Sequence, residues 1–85
     1  MFSVEFGSEA KRFLKKADKE IARRIIHKIE KLKTEPFPSD VKRVVGKKDK
    51  IFRVRVGDYR IQYSVFYEKN IIFISDIDKR ERTYD

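Results

Sequence analysis

Gly57-Asp58 stands between two runs that alternate apolar and polar residues, 51–56 and 59–67. A Gly-Asp pair in that setting signals a two-residue hairpin turn. Such a turn fixes which residues face each other across the two strands. Val56 then opposes Tyr59, Val54 opposes Ile61, and Phe52 opposes Tyr63, all on one face that can pack on a core. On the other face Arg55 lies directly across from Arg60, and Arg53 across from Gln62. One register sorts both strands cleanly, which supports it.

The rest of the chain supplies what covers the apolar face. Phe2, Val4 and Phe6 alternate with Ser3 and Glu5, the pattern of a half-buried strand. Gly7 ends it, and Ser8 is the expected cap of a following helix. Ala10, Phe13, Leu14 and Ala17 fall at helical spacing, and Asp18 reads as a second N-cap. Ile21, Ile25, Ile29 and Leu32 continue the stripe, widened by Ala22 and Ile26. Pro36 and Pro38 stop it. Residues 8–34 therefore form a helical hairpin with one apolar face. His27 lies off that stripe among Arg23, Arg24, Lys28 and Lys31, so it reads as a solvated side chain without a catalytic part.

Residues 41–45 are an apolar patch or a brief strand, and Gly46-Lys47-Lys48-Asp49-Lys50 is a basic turn. After the hairpin, Glu68-Lys69-Asn70 turns the chain into a last apolar strand, 71–77. Ile71, Ile72, Phe73 and Ile74 are apolar on both faces. Either another chain covers one face, or a bulge near Ser75-Asp76 resets the alternation. The expected fold is α+β: an N-terminal strand, a helical hairpin, then a three-stranded antiparallel meander, with the helices on one sheet face.

Three arginines on the open face call for a reason. Like charges directly opposite destabilise a sheet. Arginine's planar fork, however, binds phosphate oxygens in bidentate fashion. The functional reading is a phosphate or scissile-bond site. The bland one is a solvated face neutralised by Asp76 or Asp78. The tail adds Arg80, Arg82 and Tyr84 directly after the last strand. Tyr84 is suited to stacking on a base, and its hydroxyl to proton transfer if nearby arginines lower its pKa. A frayed, charged C-terminus is the alternative.

Charge points the same way. Lys and Arg total 22 against 14 Asp and Glu, a net +8, which suits a polyanionic partner. A heavily charged thermophile-like surface explains many charges but not so large an excess of one sign. With no cysteine and one histidine, thiolate zinc sites, cysteine nucleophiles and paired imidazoles are excluded. No cofactor or metal site is expected. No apolar run approaches the ~18 residues that span a membrane, and the first residues lack the pattern of a signal peptide. One cytoplasmic domain, residues 1–85, is expected.

The stretches Phe52-Arg53-Val54-Arg55-Val56-Gly57-Asp58-Tyr59-Arg60-Ile61 and Lys79-Arg80-Glu81-Arg82-Thr83-Tyr84 resemble the RelE/ParE toxin superfamily, closer to its RelE branch. The order of elements, including Val45-Gly46 before the basic turn, agrees over nearly the whole chain. The resemblance implies cleavage of messenger RNA in the ribosomal A site and inhibition by an acidic, RelB-like antitoxin. By position, Arg53 and Arg55 match two basic residues on the first meander strand, and Arg60 the phosphate-binding arginine after the turn. Arg80 matches the arginine beside the scissile phosphate, and Tyr84 the tyrosine that stacks on the substrate base. Lys47, Lys48, Lys50 and Arg82 are expected to bind RNA.

Two departures bear on mechanism. The first-strand positions are often lysine in the family and are arginine here, and arginine does not act as a general base. Proton abstraction then falls to Tyr84, to Lys47, Lys48 or Lys50, or to the ribosome. The C-terminal helix of some relatives is also missing after Tyr84, so weaker intrinsic activity is expected. A ParE-like inhibitor of DNA gyrase and a non-catalytic RNA-binding or decayed homologue are the competing readings.

Overall fold

The computed structural model describes residues 1–44, 46 and 50–79. Strand β1 (Ser3–Phe6) leads into helices α1 (Ser8–Lys16) and α2 (Lys19–Leu32). Strands β2 (Lys42–Arg43), β3 (Phe52–Val56), β4 (Tyr59–Phe66) and β5 (Ile71–Lys79) follow. They form one five-stranded sheet in the order β1-β5-β4-β3-β2. The antiparallel meander stands as expected. The brief strand around residue 42 joins it as the outer edge, and β1 pairs parallel with β5.

The helical face takes its shape from side-chain spacing. Ile25, Ile29 and Leu32 point one way off α2 and are buried against Val54, Ile61, Tyr63, Ile72, Ile74 and Ile77 of the sheet, with Ala10 from α1. Truncating one of these isoleucines to alanine costs about 2–5 kcal/mol. Tyr63 is buried to its tip, and its hydroxyl donates to the Pro36 carbonyl at 2.6 Å. Burial pushes that phenol well above its usual pKa, and the charge of Asp40 adds to the effect.

Both expected helix caps differ in detail. Gly7, not Ser8, holds the first N-cap position, and Asp18 holds the second without a side-chain hydrogen bond. The reason at Gly7 is a close approach. Its N–H continues the sheet by donating to the Ile74 carbonyl at 2.8 Å. A Cβ there would lie 2.9 Å from the Phe73 ring. The helix therefore starts where the backbone is pinned to β5.

A bulge settles the phase of the last strand. Gln62 pairs with Asp76 but Tyr63 pairs with Ile74, which leaves Ser75 as the extra residue. Its hydroxyl donates to the Gln62 carbonyl at 3.2 Å. Ile72, Ile74 and Ile77 thereby all reach the core, although Ile74 and Ile77 are three apart. On the other face Ile71 and Phe73 are only partly buried, the Phe73 ring lying against Gly7.

Candidate functional site

The sheet face away from the helices carries the predicted arginines. The register across β3 and β4 pairs Arg55 with Arg60 and Arg53 with Gln62, as the Gly57-Asp58 turn requires. Gly57 adopts a positive φ of 59°, the left-handed conformation such a turn needs and one that glycine takes without strain.

Following the rows across the sheet gives a charge gradient. One row runs Lys42, Arg53, Gln62, Asp76 from β2 to β5. The next runs Arg55, Arg60, Asp78 from β3 to β5. Both start basic at the β3 side and end acidic on β5. Lys42 extends the basic end, and sequence reading missed it because a two-residue strand has no periodicity to read.

Arg60 stands where the gradient changes sign. Its Nε donates to Asp78 Oδ1 at 3.2 Å, in a partly buried pair. The neutralising reading is thus correct for this one arginine. Arg53 and Arg55 have no carboxylate partner among the described residues. The pair also orients the guanidinium, because one N–H is committed to β5 while the others stay available. Beside it, the Asp76 carboxyl is held above the usual carboxylate range. Burial is the main cause, Asp78 and Glu9 push the same way, and Arg60 and the Ile77 N–H oppose.

Lys50 is exposed and lines an open-face cleft of about 470 Å³ with Ser64, Phe73 and Ser75. It is the one predicted RNA-binding lysine among the described residues. Lys47, Lys48, Arg80, Arg82 and Tyr84 lie outside them. A second cleft, of about 630 Å³, flanks the acidic end between α1 and β5, where Phe13 and Tyr59 meet edge to face at 5.6 Å. Among the described residues no helix is long and apolar enough to cross a membrane.

Aromatic groups cluster elsewhere. Phe37 packs on Phe52 with ring centroids 4.9 Å apart, and Phe2 on Tyr67 at 5.7 Å. Phe37, Phe66 and Tyr67 stay substantially exposed.

Comparison with known proteins places this geometry in context. The family model of the ParE toxin of the type II toxin–antitoxin system parDE matches residues 4–84. A Methanocaldococcus jannaschii protein named as a candidate toxin, RelE1, is 37% identical over 86 residues, covering 98% of this chain and 94% of the relative. The archaeal RelE–RelB complex from Pyrococcus horikoshii OT3 superposes with a TM-score of 0.81 at 30% identity, over 95% of this chain and 97% of that one. The isolated Escherichia coli RelE toxin gives 0.83 over 99% of this chain and 89% of that one; at 20% identity it speaks for the fold alone.

Proposed function

This chain belongs to the RelE/ParE superfamily of type II toxins, on its RelE-like side, and on that premise we propose that it is a ribosome-dependent endoribonuclease that cuts messenger RNA in the A site. The observation that carries the reading is Arg55 directly opposite Arg60 on an open sheet face. That arrangement works against the sheet; Asp78 offsets it at Arg60, and Arg55, with no carboxylate partner among the described residues, is left to meet an incoming anion.

The reaction is in-line attack of a ribose 2′-oxygen on the adjacent phosphorus. The P–O5′ bond breaks as the P–O2′ bond forms, leaving a 2′,3′-cyclic phosphate and a 5′-hydroxyl. Charge builds on the non-bridging oxygens of the phosphorane-like transition state. Arg53, Arg55 and Arg60 hold donors ready for it, and preorganised donors of this kind are usually the largest catalytic contribution. By family position Arg80 sits beside the scissile phosphate and Tyr84 stacks on the base. The 2′-proton leaves to Tyr84, to one of Lys47, Lys48 and Lys50, or to a ribosomal group. The proton gained by O5′ comes from a neighbouring acid or solvent. A face this sparse depends on the ribosome to align the strand.

A RelB-like acidic antitoxin is the proposed partner. The RelE of Pyrococcus horikoshii is seen in complex with RelB, and a net charge of +8 favours an acidic, partly disordered chain that folds on binding. Exposed Phe37, Phe66 and Tyr67 offer it apolar contacts.

The test is induced expression followed by primer extension on ribosome-bound message. Translation should stop first, with cuts in the A-site codon, and co-expression of the antitoxin should restore growth. The ParE name of the matching family keeps a gyrase-directed reading in play. Early arrest of DNA synthesis with gyrase-linked breaks would select it.

A further inference from the structure

A second cationic cluster lies beside β3, past the point where β2 pairs with it. Arg23, Arg24, His27 and Lys28 of α2 meet Arg55 and Val56 of β3 around a cleft of about 390 Å³. Among the described residues no carboxylate lines it. Arg23 is drawn off by Glu20 at 3.3 Å, and Lys28 by Asp40 at 3.1 Å. Arg24, His27 and Arg55 have no hydrogen-bond or ion-pair partner among the described residues.

The fold does not require this cluster. The buried stripe Ile25, Ile29 and Leu32 anchors α2 without it. Arg24 and Lys28 are like charges at i and i+4, a spacing that weakens a helix slightly. The Arg24 guanidinium lies against the hairpin turn, where a Cβ on Gly57 would be 2.9 Å from its Nη2. Glycine at the hairpin turn thus leaves room for a guanidinium beside it.

Arg55 belongs to both sites. It stands opposite Arg60 on the open face, and it lines the cleft. The edge strand β2 pairs only with Phe52 and Arg53, so no strand covers β3 at Arg55 among the described residues. A polyanion leaving the arginine face over this edge meets Arg24 and His27 next.

We infer that the cleft formed by Arg24, His27 and Arg55 binds a backbone phosphate of an RNA strand, outside the scissile position. The inference rests on the RNA-directed reading above for the identity of the strand. The chemistry is a guanidinium fork and an imidazole N–H on phosphate oxygens. Arg24 and His27 add affinity and direction to the strand and take no part in bond cleavage, while Arg55 is shared with the cleavage site.

The test uses the purified full chain and a labelled oligouridylate, with binding followed by anisotropy at several salt concentrations. Arg24→Gln/His27→Gln should weaken binding about tenfold, as expected when one charge-assisted hydrogen bond is removed. The slope of log K against log salt should shrink by about 0.7 for each phosphate that the variant no longer neutralises. Arg24→Lys should keep the slope. Both residues are solvent-exposed on α2, so melts should match the parent. If the double variant melts early, Arg24→Gln and His27→Gln are compared singly in the same assay. Parent-like affinity and slope in the variants would overturn the site. So would unchanged RNA binding with abolished competition by oligoglutamate, which would make the cleft a protein-docking site. If the parent binds RNA and the variants do not, but ribosome-bound message is never cut, the nuclease reading fails and this one stands.

Discussion

The two ends of the open sheet face belong to one sheet yet do opposite electrostatic work. At the β3 end, Arg53, Arg55 and Lys42 lie together with no carboxylate partner among the described residues. At the β5 end, Asp76 and Asp78 face outward, and Asp78 already holds Arg60. The acidic end keeps one guanidinium aligned, and the basic end leaves its cations free for an incoming anion. A uniformly basic face would attract RNA as well but would not orient it.

The sharpest way to break this contrast is at its hinge. Arg60→Ala should lower ribosome-dependent cleavage by roughly 10²–10³-fold, the usual loss for one preorganised charge-stabilising group. Stability should fall by less than about 1 kcal/mol, because the Asp78 pair is partly exposed. Primer extension and thermal melts on the same preparations separate the two. Arg80→Ala should behave likewise. Parent-like cutting by both variants would reduce the arginine face to a solvated surface.

The ends themselves come next. Arg55→Ala should weaken RNA binding and cut the salt slope by about 0.7 or more. Asp78→Asn should do the reverse, tightening RNA several-fold by freeing Arg60, while cleavage falls if alignment matters. Anisotropy titrations with both variants decide it. A shared direction of effect would abolish the distinction between the ends.

Away from the face, Tyr63→Phe removes the hydrogen bond to Pro36 and should cost about 1 kcal/mol. That corresponds to a drop of roughly 4–8 °C in Tm for a domain of this size, with RNA binding unchanged.

The smallest effect is a pH dependence at Asp76. Its carboxyl is held above the ordinary carboxylate range, so the folded chain retains a proton that the unfolded chain has lost. Linkage then makes stability decline as pH rises through that interval. Asp76→Asn should be more stable than the parent at neutral pH. The gap should close as pH falls below the ordinary aspartate range. Urea melts at a series of pH values would show a constant gap instead if the group titrated normally.

What is legible in the sequence follows the range of each signal. The Arg55–Arg60 opposition is readable because a two-residue turn and a period of two leave no freedom. The α2 stripe is readable for the same reason at a different period. The parallel pairing of β1 with β5 is not, because alternation says that a strand exists and not which neighbour it takes. The Arg60–Asp78 pair is visible only as one of two options, since the bulge leaves the phase of β5 open. His27 reads as exposed from its place on the helix, and it is exposed. Its company with Arg55 depends on how α2 crosses β3, which no local pattern encodes.

Ser75 gives that last strand a kind of parity bit. Ahead of it, even-numbered residues face the helices; after it, odd-numbered ones do, and Asp76 and Asp78 turn outward to meet the arginines. Deleting this one residue would bring Asp76 directly after Ile74, and plain alternation would then keep Asp76 and Asp78 outward and Ile77 inward with no bulge at all. Only a strand that kept Ser75 and ran without the bulge would point the carboxylates into the hydrocarbon core and Ile77 into solvent. One residue absorbed out of register thus decides how a message written several residues further along is read.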